Sequence, residues 1–406
     1  MPAKTPFAVW LLLLSLYTTQ YLGLGFLLTG LVAILRKSGA SLETLGIVYL
    51  IGFAWPLKVL WAPLIDRFGV GRLGHYRGWL IITQSGLVLS LALLSQLHPL
   101  QDIGLVLAMA AVVSFLSASQ DTAVSGLLCL ILPPADRGPA KGLHNAGHLL
   151  GILIGGGLLL MLYEYWGWAN SMWMLAAGTA VTLLQLLLYR EPDEVSRAPR
   201  GMRLSALVQP FRGEGGGAWL LLLLVLPINI SMAYALMAPL LIDAGWSLHG
   251  LGVLVNILGP GAGIGAALVT GRLLNRYRRR TMLIATVALQ IPCALGLLLP
   301  LFQWGGDAAS AMGIALIYLL YQPSQIAAMT VMMDRSGLEQ PAAAFTMQNS
   351  LHMLSGMAAM SVGAPLAAAI GYAGVIVAAA VAGTVALAVA LLFRSPEPAS
   401  VPPLAP

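Results

Sequence analysis

Long apolar runs separated by short polar breaks make up nearly the whole chain. Runs long enough to cross about 30 Å of hydrocarbon, which takes roughly 20 helical residues, lie near 8–35, 43–64, 79–97, 103–130, 143–163 and 169–189. A second series follows near 218–242, 249–271, 281–302, 310–333, 343–368 and 370–393. These runs are rich in Leu, Ala and Gly and lack the ten-residue alternation of a barrel strand. The pattern predicts an all-α membrane protein with about twelve transmembrane helices. Pro192, Pro199, Pro210 and the stretch Gly213 to Gly217 interrupt it midway. The expected organisation is an N-terminal six-helix bundle over 1–190, a linker over 191–217 and a C-terminal six-helix bundle over 218–394. A Pro-rich tail over 395–406 is expected to be disordered.

Composition turns this pattern into a statement about solvent. Of 406 residues, 59% are hydrophobic and 9% are charged, against about 25% charged in soluble domains. The mean hydropathy is +0.86. A chain with so little polar surface uses lipid as its solvent. The net charge of +6 points away from nucleic acid once its placement is considered. With both termini on the cytoplasmic side, Arg190, Arg197, Arg200, Arg203 and Arg212 fall inside. So do Arg272–Arg280, and so do Arg67, Arg72, Arg77, Arg137, Lys141, Arg335 and Arg394. Arg36 and Lys37 alone fall outside. That asymmetry follows the positive-inside rule. Cys129 and Cys293 lie in different halves and read as small packing residues. The first apolar run exceeds a signal-peptide core and is expected to remain as a span.

Polar residues inside the spans are the candidates for chemistry. An amide in hydrocarbon needs a partner or a wet cavity, which singles out Gln20, Gln120, Asn229, Gln322, Gln325, Gln348 and Asn349, with Tyr234 and Tyr318 alongside. Asp121 is the carboxylate placed well inside a span, where it must be paired, hydrated or protonated. It either carries a coupling proton or holds a contact between spans. Lys58 lies about eight residues before the charged turn and either snorkels to the headgroups or faces a cavity, meeting an anionic cargo or Asp121. His144 and His148 are four apart and share a helical face. With no Glu or Cys nearby to complete a metal set, they line a cavity, handle protons or hydrogen-bond between helices; His352 joins them from span 11. The glycine run Gly259-Pro260-Gly261-Ala262-Gly263-Ile264-Gly265 lies inside a span, so the strand–turn–helix context of a dinucleotide loop is missing.

The stretch Trp55-Pro56-Leu57-Lys58-Val59-Leu60-Trp61-Ala62-Pro63-Leu64-Ile65-Asp66-Arg67 ends in a tight charged turn, and a fainter copy follows span 8 from Gly271 to Arg280. Asp66, Arg67 and Arg72 in the first turn, with Arg272 and Arg276 in the second, are expected to latch one conformation. Two related halves with a charged turn at matching places resemble the major facilitator superfamily, two six-helix halves about a midplane site. Phe53–Arg67 and Ser117-Ala118-Ser119-Gln120-Asp121, with Leu132-Pro133 and Asp136-Arg137-Gly138 after them, are similar to the AmpG-like branch. That branch includes muropeptide permeases, acetyl-CoA transporters and the RhtX/FptX siderophore permeases. Against the muropeptide permeases, this chain lacks further charges after Asp121 and an arginine early in span 5, reading Thr122–Leu130 and His148-Leu149-Leu150 instead.

Function classes narrow accordingly. The resemblance implies a secondary transporter of the bacterial inner membrane, not an enzyme. A cavity with few ions leans toward a ferric siderophore taken up by alternating access, with a muropeptide or related amphiphile as the alternative. A membrane-embedded transferase would need a clustered acid/base or metal constellation, and none stands out. No phosphate-cradling Gly-Lys-Ser/Thr motif is present, so the expected energy source is an ion gradient, with protons through Asp121 the leading choice, or trapping of the cargo inside, and no cofactor is expected. The expected partners are a small-molecule cargo and the lipid bilayer, and the chain is expected to act as a monomer.

Overall fold

The computed structural model describes residues 6–31, 34–35, 51–70, 73–192, 205–246, 253–337 and 340–393. The expectations for Arg36, Lys37, Arg72, Arg394, the linker arginines Arg197, Arg200 and Arg203, and the tail 395–406 lie outside the described residues. Among the described residues the chain is a succession of helices, nine of them long and apolar enough to span a bilayer.

The N-terminal half holds α1 (Phe7–Gly25), a broken α2 (Ala54–Leu57 and Ala62–Arg67), α3 (Tyr76–Leu94), α4 (Ile103–Ile131), α5 (Pro134–Tyr163) and α6 (Tyr165–Leu188). The C-terminal half holds α7 (Gly216–Asp243), α8 (Gly259–Leu273), α9 (Arg279–Leu301) and α10 (Gly306–Asp334). The run Pro341–Leu392 completes it, divided at Gly371 (φ 75) into α11 before and α12 after. In the linker, Ser205–Val208 and Gln209–Phe211 are short helical turns, and Arg335 Nε donates to Pro210 O at 2.8 Å. Large apolar side chains such as Leu89, Tyr165 and Leu188 face outward, as lipid-facing residues do.

Prolines shape α2. A proline removes a backbone donor and crowds the preceding turn, and Pro63 opens the first turn of the second piece. Between the pieces, Lys58–Leu60 tightens to a 3₁₀ turn. The helix thereby turns Lys58 inward, leaving it fully buried. Widened π turns occur at Phe26–Gly30, Leu153–Leu158 and Leu254–Leu258, on α1, α5 and before α8.

The distribution of the core defines the conformation. At the end carrying the basic loops, one continuous apolar cluster includes Leu13, Ile65 and Leu128 from the first half and Trp219, Val331 and Phe345 from the second. Toward the opposite end the cluster splits. Phe26, Leu91 and Met172 belong to a core made chiefly by the first half, and Leu236, Leu297 and Ile376 to a separate core of the second. The two halves are therefore joined at the basic end.

Three kinds of contact make that joint. α5 and α8 cross so closely that a Cβ on Gly142 would stand 2.7 Å from Ala267 O. Arg137 Nη1 on α5 meets Asp334 Oδ1 on α10 at 2.8 Å, and Arg279 Nε meets Oδ2 of the same carboxylate at 3.2 Å. Arg279 Nη2 also donates to Pro134 O at 2.5 Å, back across the joint. Finally, Asp66 at the end of α2 accepts the backbone N–H groups of Ala342 (3.2 Å) and Ala343 (2.7 Å) and the Tyr76 hydroxyl (2.5 Å). A carboxylate at the start of α11 satisfies donors that have no intrahelical partner and meets the positive end of the helix dipole.

Two latch residues need correction. Arg272 is exposed and reaches the Leu268 carbonyl of its own helix at 3.5 Å. Arg276 is exposed and pairs with no carboxylate among the described residues. The second turn bridges the halves through Arg279 instead, because it starts α9 and faces the joint. Arg67 packs beside the Phe68 ring, 5.1 Å from its centroid. Lys141 is corrected as well. It lies about two turns into α5 and is fully buried instead of facing the basic surface.

Cys129, buried and unbridged in the joined core, reports on this end. Replacing Asp66 by Ala removes a helix cap worth about 1–2 kcal/mol, so maleimide labelling of Cys129 should quicken about tenfold relative to Cys293. Unchanged labelling would mean that the cap does not hold the ends together.

Candidate functional site

Three helices of the N-terminal half aim polar side chains at one carboxylate on a fourth. Asp121, midway along α4, is 1% exposed. Lys58 from the 3₁₀ turn of α2 forms an ion pair with Asp121 Oδ2. Gln20 of α1 donates from Nε2 to Oδ1 at 3.1 Å, and His144 Nε2 of α5 lies 3.4 Å from the same oxygen. Lys58 Nζ is also 4.9 Å from the centroid of the Trp55 ring. Of the two readings of Lys58, the structure selects the one that meets Asp121. Its chain does not run to the headgroups, because the break in α2 turns it inward.

Aromatic contacts carry this cluster toward the middle of the molecule. Tyr17 stacks on His144 (centroids 4.3 Å apart). One turn further along α5, His148 lies 3.9 Å from the Tyr21 ring, which stacks on Trp55 at 4.7 Å. On the other side, His352 of α11 places Nε2 2.9 Å from Gln325 Oε1 and Nδ1 3.3 Å from the Leu223 carbonyl. Gln325 in turn donates from Nε2 to the Tyr321 hydroxyl at 2.8 Å.

Between these two groups lies a cavity of about 240 Å³. Tyr21, Trp55, Asp121, His144 and His148 form one wall, and Tyr321, Gln322, Gln325, Asn349 and His352 the other. Met329, Met353, Met357 and Met360 fill in with adaptable apolar surface. The volume falls below the roughly 300–1,000 Å³ of drug-sized binding sites, so a larger molecule requires the halves to part. A larger crevice of about 460 Å³ on the outside of the first half is lined by Leu11, Leu14, Ile154 and Met174 among other mostly aliphatic groups. It contains no charged group to orient a polar cargo.

The cavity gathers seven of the residues singled out from the sequence: Asp121, His144, His148, Gln322, Gln325, Asn349 and His352. Gln20 and Lys58 stand behind Asp121. The others lie outside the cavity wall. Gln120 ties α4 to α1 through the Leu16 carbonyl at 2.9 Å. Asn229 ties α7 to α12 through the Ala379 carbonyl at 2.8 Å. Gln348 accepts from Trp219 Nε1 at 2.7 Å and donates to the Met332 carbonyl at 2.9 Å. Tyr234, 45% exposed, meets the Tyr318 ring edge-on with the hydroxyls 3.5 Å apart. A mid-membrane amide thus has two fates, cavity lining or helix tying, and residue type alone does not separate them.

Sequence reasoning missed Asn145, Tyr21 and Trp55, which line the cavity. The available signal was helical spacing, since positions 141, 145 and 148 share a face of α5.

Removing one partner of a buried ion pair costs about 3–5 kcal/mol, whereas replacing both with apolar groups is often neutral. Lys58→Met and Asp121→Leu should therefore each lower the thermal unfolding midpoint of the purified protein sharply, and the double variant should regain most of the loss. A double variant no better than the worse single one would show the two charges to be energetically independent.

The sequence places this architecture among known proteins. Residues 9–360 match the Major Facilitator Superfamily model. The chain is 34% identical over 242 residues to the anhydromuropeptide permease of Escherichia coli K12, covering 58% of this chain and 49% of that protein. It thus spans about half the length of that curated relative. In fold it is similar to the human organic anion transporter MFSD10, with a TM-score of 0.75 at 15% identity over 95% of this chain and 98% of that one. The Escherichia coli fucose:proton symporter gives a TM-score of 0.71 at 12% identity over 96% and 99% of the two chains. Doubled six-helix halves around a polar midplane cavity, with a family match over most of the length, lead to one conclusion: the chain belongs to the major facilitator superfamily of membrane transporters.

Proposed function

We propose that this transporter carries a muropeptide-like cargo, a sugar–peptide bearing amides and carboxylates, inward across the bacterial inner membrane by alternating access. The observation that carries the reading is the 34% identity to a protein described as an anhydromuropeptide permease. The siderophore reading rested on a cavity sparse in ions. That premise is weaker now that Lys141 lies buried near the paired Lys58 and Asp121. Amides on both walls, with aromatic rings and methionines around them, suit the mixed surface of a sugar–peptide.

Orientation follows the charge bias, with the basic end in the cytoplasm. The conformation described is then closed to the cytoplasm, and import proceeds when Asp66 lets go of α11, Arg137 of Asp334 and Arg279 of the Pro134 carbonyl. Transport acts within a single chain. The proton gradient supplies the drive, with the Asp121–His144 couple as the exchanging site. Both Asp121 oxygens are engaged by Lys58 and Gln20, whereas His144 Nδ1 has no hydrogen-bond partner.

Uptake into proteoliposomes tests the cargo. An anhydromuropeptide should accumulate under an imposed proton gradient, and a ferric siderophore should not; the reverse result would reinstate the siderophore reading. His144→Gln keeps a hydrogen bond toward Asp121 without a titratable ring. It should abolish accumulation yet retain counterflow exchange, while full gradient-driven accumulation in that variant would move the proton site elsewhere.

A further inference from the structure

Lys141 is a buried charge that the cavity described above leaves unused. Its Nζ lies 4.0 Å from the centroid of the Phe345 ring, which belongs to α11 in the other half, and 3.5 Å from Ser125 Oγ. No carboxylate among the described residues is within ion-pair reach of it. Lys58 already occupies Asp121. The buried cluster therefore contains two ammonium groups to one carboxylate. An aromatic face offsets only part of the loss of water around an ammonium, so this arrangement leaves Lys141 undercompensated.

Its position explains what would complete it. One turn along α5 from Lys141 lie His144 and Asn145, and one turn along α11 from Phe345 lies Asn349. All three line the cavity. Both helices begin at the basic end, so a turn of about 6 Å separates the cavity wall from the Lys141–Phe345 contact. That contact lies about one helical turn beyond the cavity lining, on the basic side. Lys141, Ser125 and Asp121 belong to one half, and Phe345 to the other. Parting the halves at the basic end carries Phe345 away and bares the ammonium. Just above it, Asn145 Nδ2 and Asn349 Oδ1 are buried with no hydrogen-bond partner. They offer a donor and an acceptor of the kind an amide group pairs with.

We propose that Lys141 binds a carboxylate of the cargo as it leaves the cavity toward the basic end, while Asn145 and Asn349 hold an adjoining amide. The ligand class is a peptide end, an amide next to a free carboxylate. This rests on the muropeptide reading and adds to it the group recognised and the residues that recognise it. Lys141 selects ionised cargo, and Phe345 covers the site until the halves separate.

The test compares uptake by the full-length protein of an anhydromuropeptide with free peptide carboxylates and of the same molecule with those carboxylates amidated. The wild type should favour the free acid by about tenfold or more. Lys141→Met should bring the two rates together by slowing the acid alone, and Lys141→Arg should restore most of the preference. An equal loss for both cargoes in Lys141→Met would overturn the proposal. So would a wild type that moves both alike, a comparison that needs no variant to fold. A wild type that moves neither, while moving a ferric siderophore, would instead remove the cargo reading and this inference with it.

Discussion

The need to compensate Asp121 governs the first half of the molecule. A carboxylate and an ammonium taken from water into a protein interior each lose several kcal/mol of hydration, and the pair is stable only with good geometry and further hydrogen bonds. Four helices converge to supply them: α4 with the acid, the broken α2 with Lys58, α1 with Gln20 and α5 with His144. The proline-rich break in α2 is part of this arrangement, because a regular helix would not turn Lys58 the same way. Tyr17, stacked on His144, packs the cluster from behind.

All of those groups belong to the same half. The halves can therefore move apart without separating the buried pair, and its large electrostatic energy plays no part in the conformational change. The contacts that do cross between halves are of another kind. Asp66 on the start of α11, Arg137 on Asp334 and Arg279 on the Pro134 carbonyl sit at the end of the helices where water is close at hand once they part. Arg137, Asp334 and Asp66 are buried while the halves are joined, and charges separated there regain hydration, which offsets the lost contacts. Close α5–α8 packing through Gly142 adds dispersion energy that is equally reversible. The Lys58–Asp121 pair stays inside one half, and the contacts between halves are those that can exchange partners with water.

How far the sequence revealed this depended on the kind of signal. Span lengths are legible because hydrocarbon thickness sets them, and the helices follow the apolar runs closely. Asp66 was legible as part of a compact charged turn, and Asp121 as an acid in oil. Lys141 was misplaced because a lysine near the start of a span is expected to reach water. Only the packing of Phe345 over it, from a helix about two hundred residues away, shows otherwise. Arg279 was passed over for Arg272 and Arg276 because a run of arginines does not say which one faces inward. The amides Gln120, Asn229 and Gln348 failed as cavity predictions for a similar reason, since tying two helices together also satisfies an amide.

If the two halves close reversibly at the basic end over the shared polar cavity, the distance across the seam changes during transport. Spin labels at Ala135 and Asn275, both exposed and on opposite sides of the seam, would measure it directly in a bilayer. The resting protein should give a short distance, and a second, longer population should appear when cargo and a proton gradient are supplied. A single short distance under every condition, in protein that still transports, would contradict reversible closure.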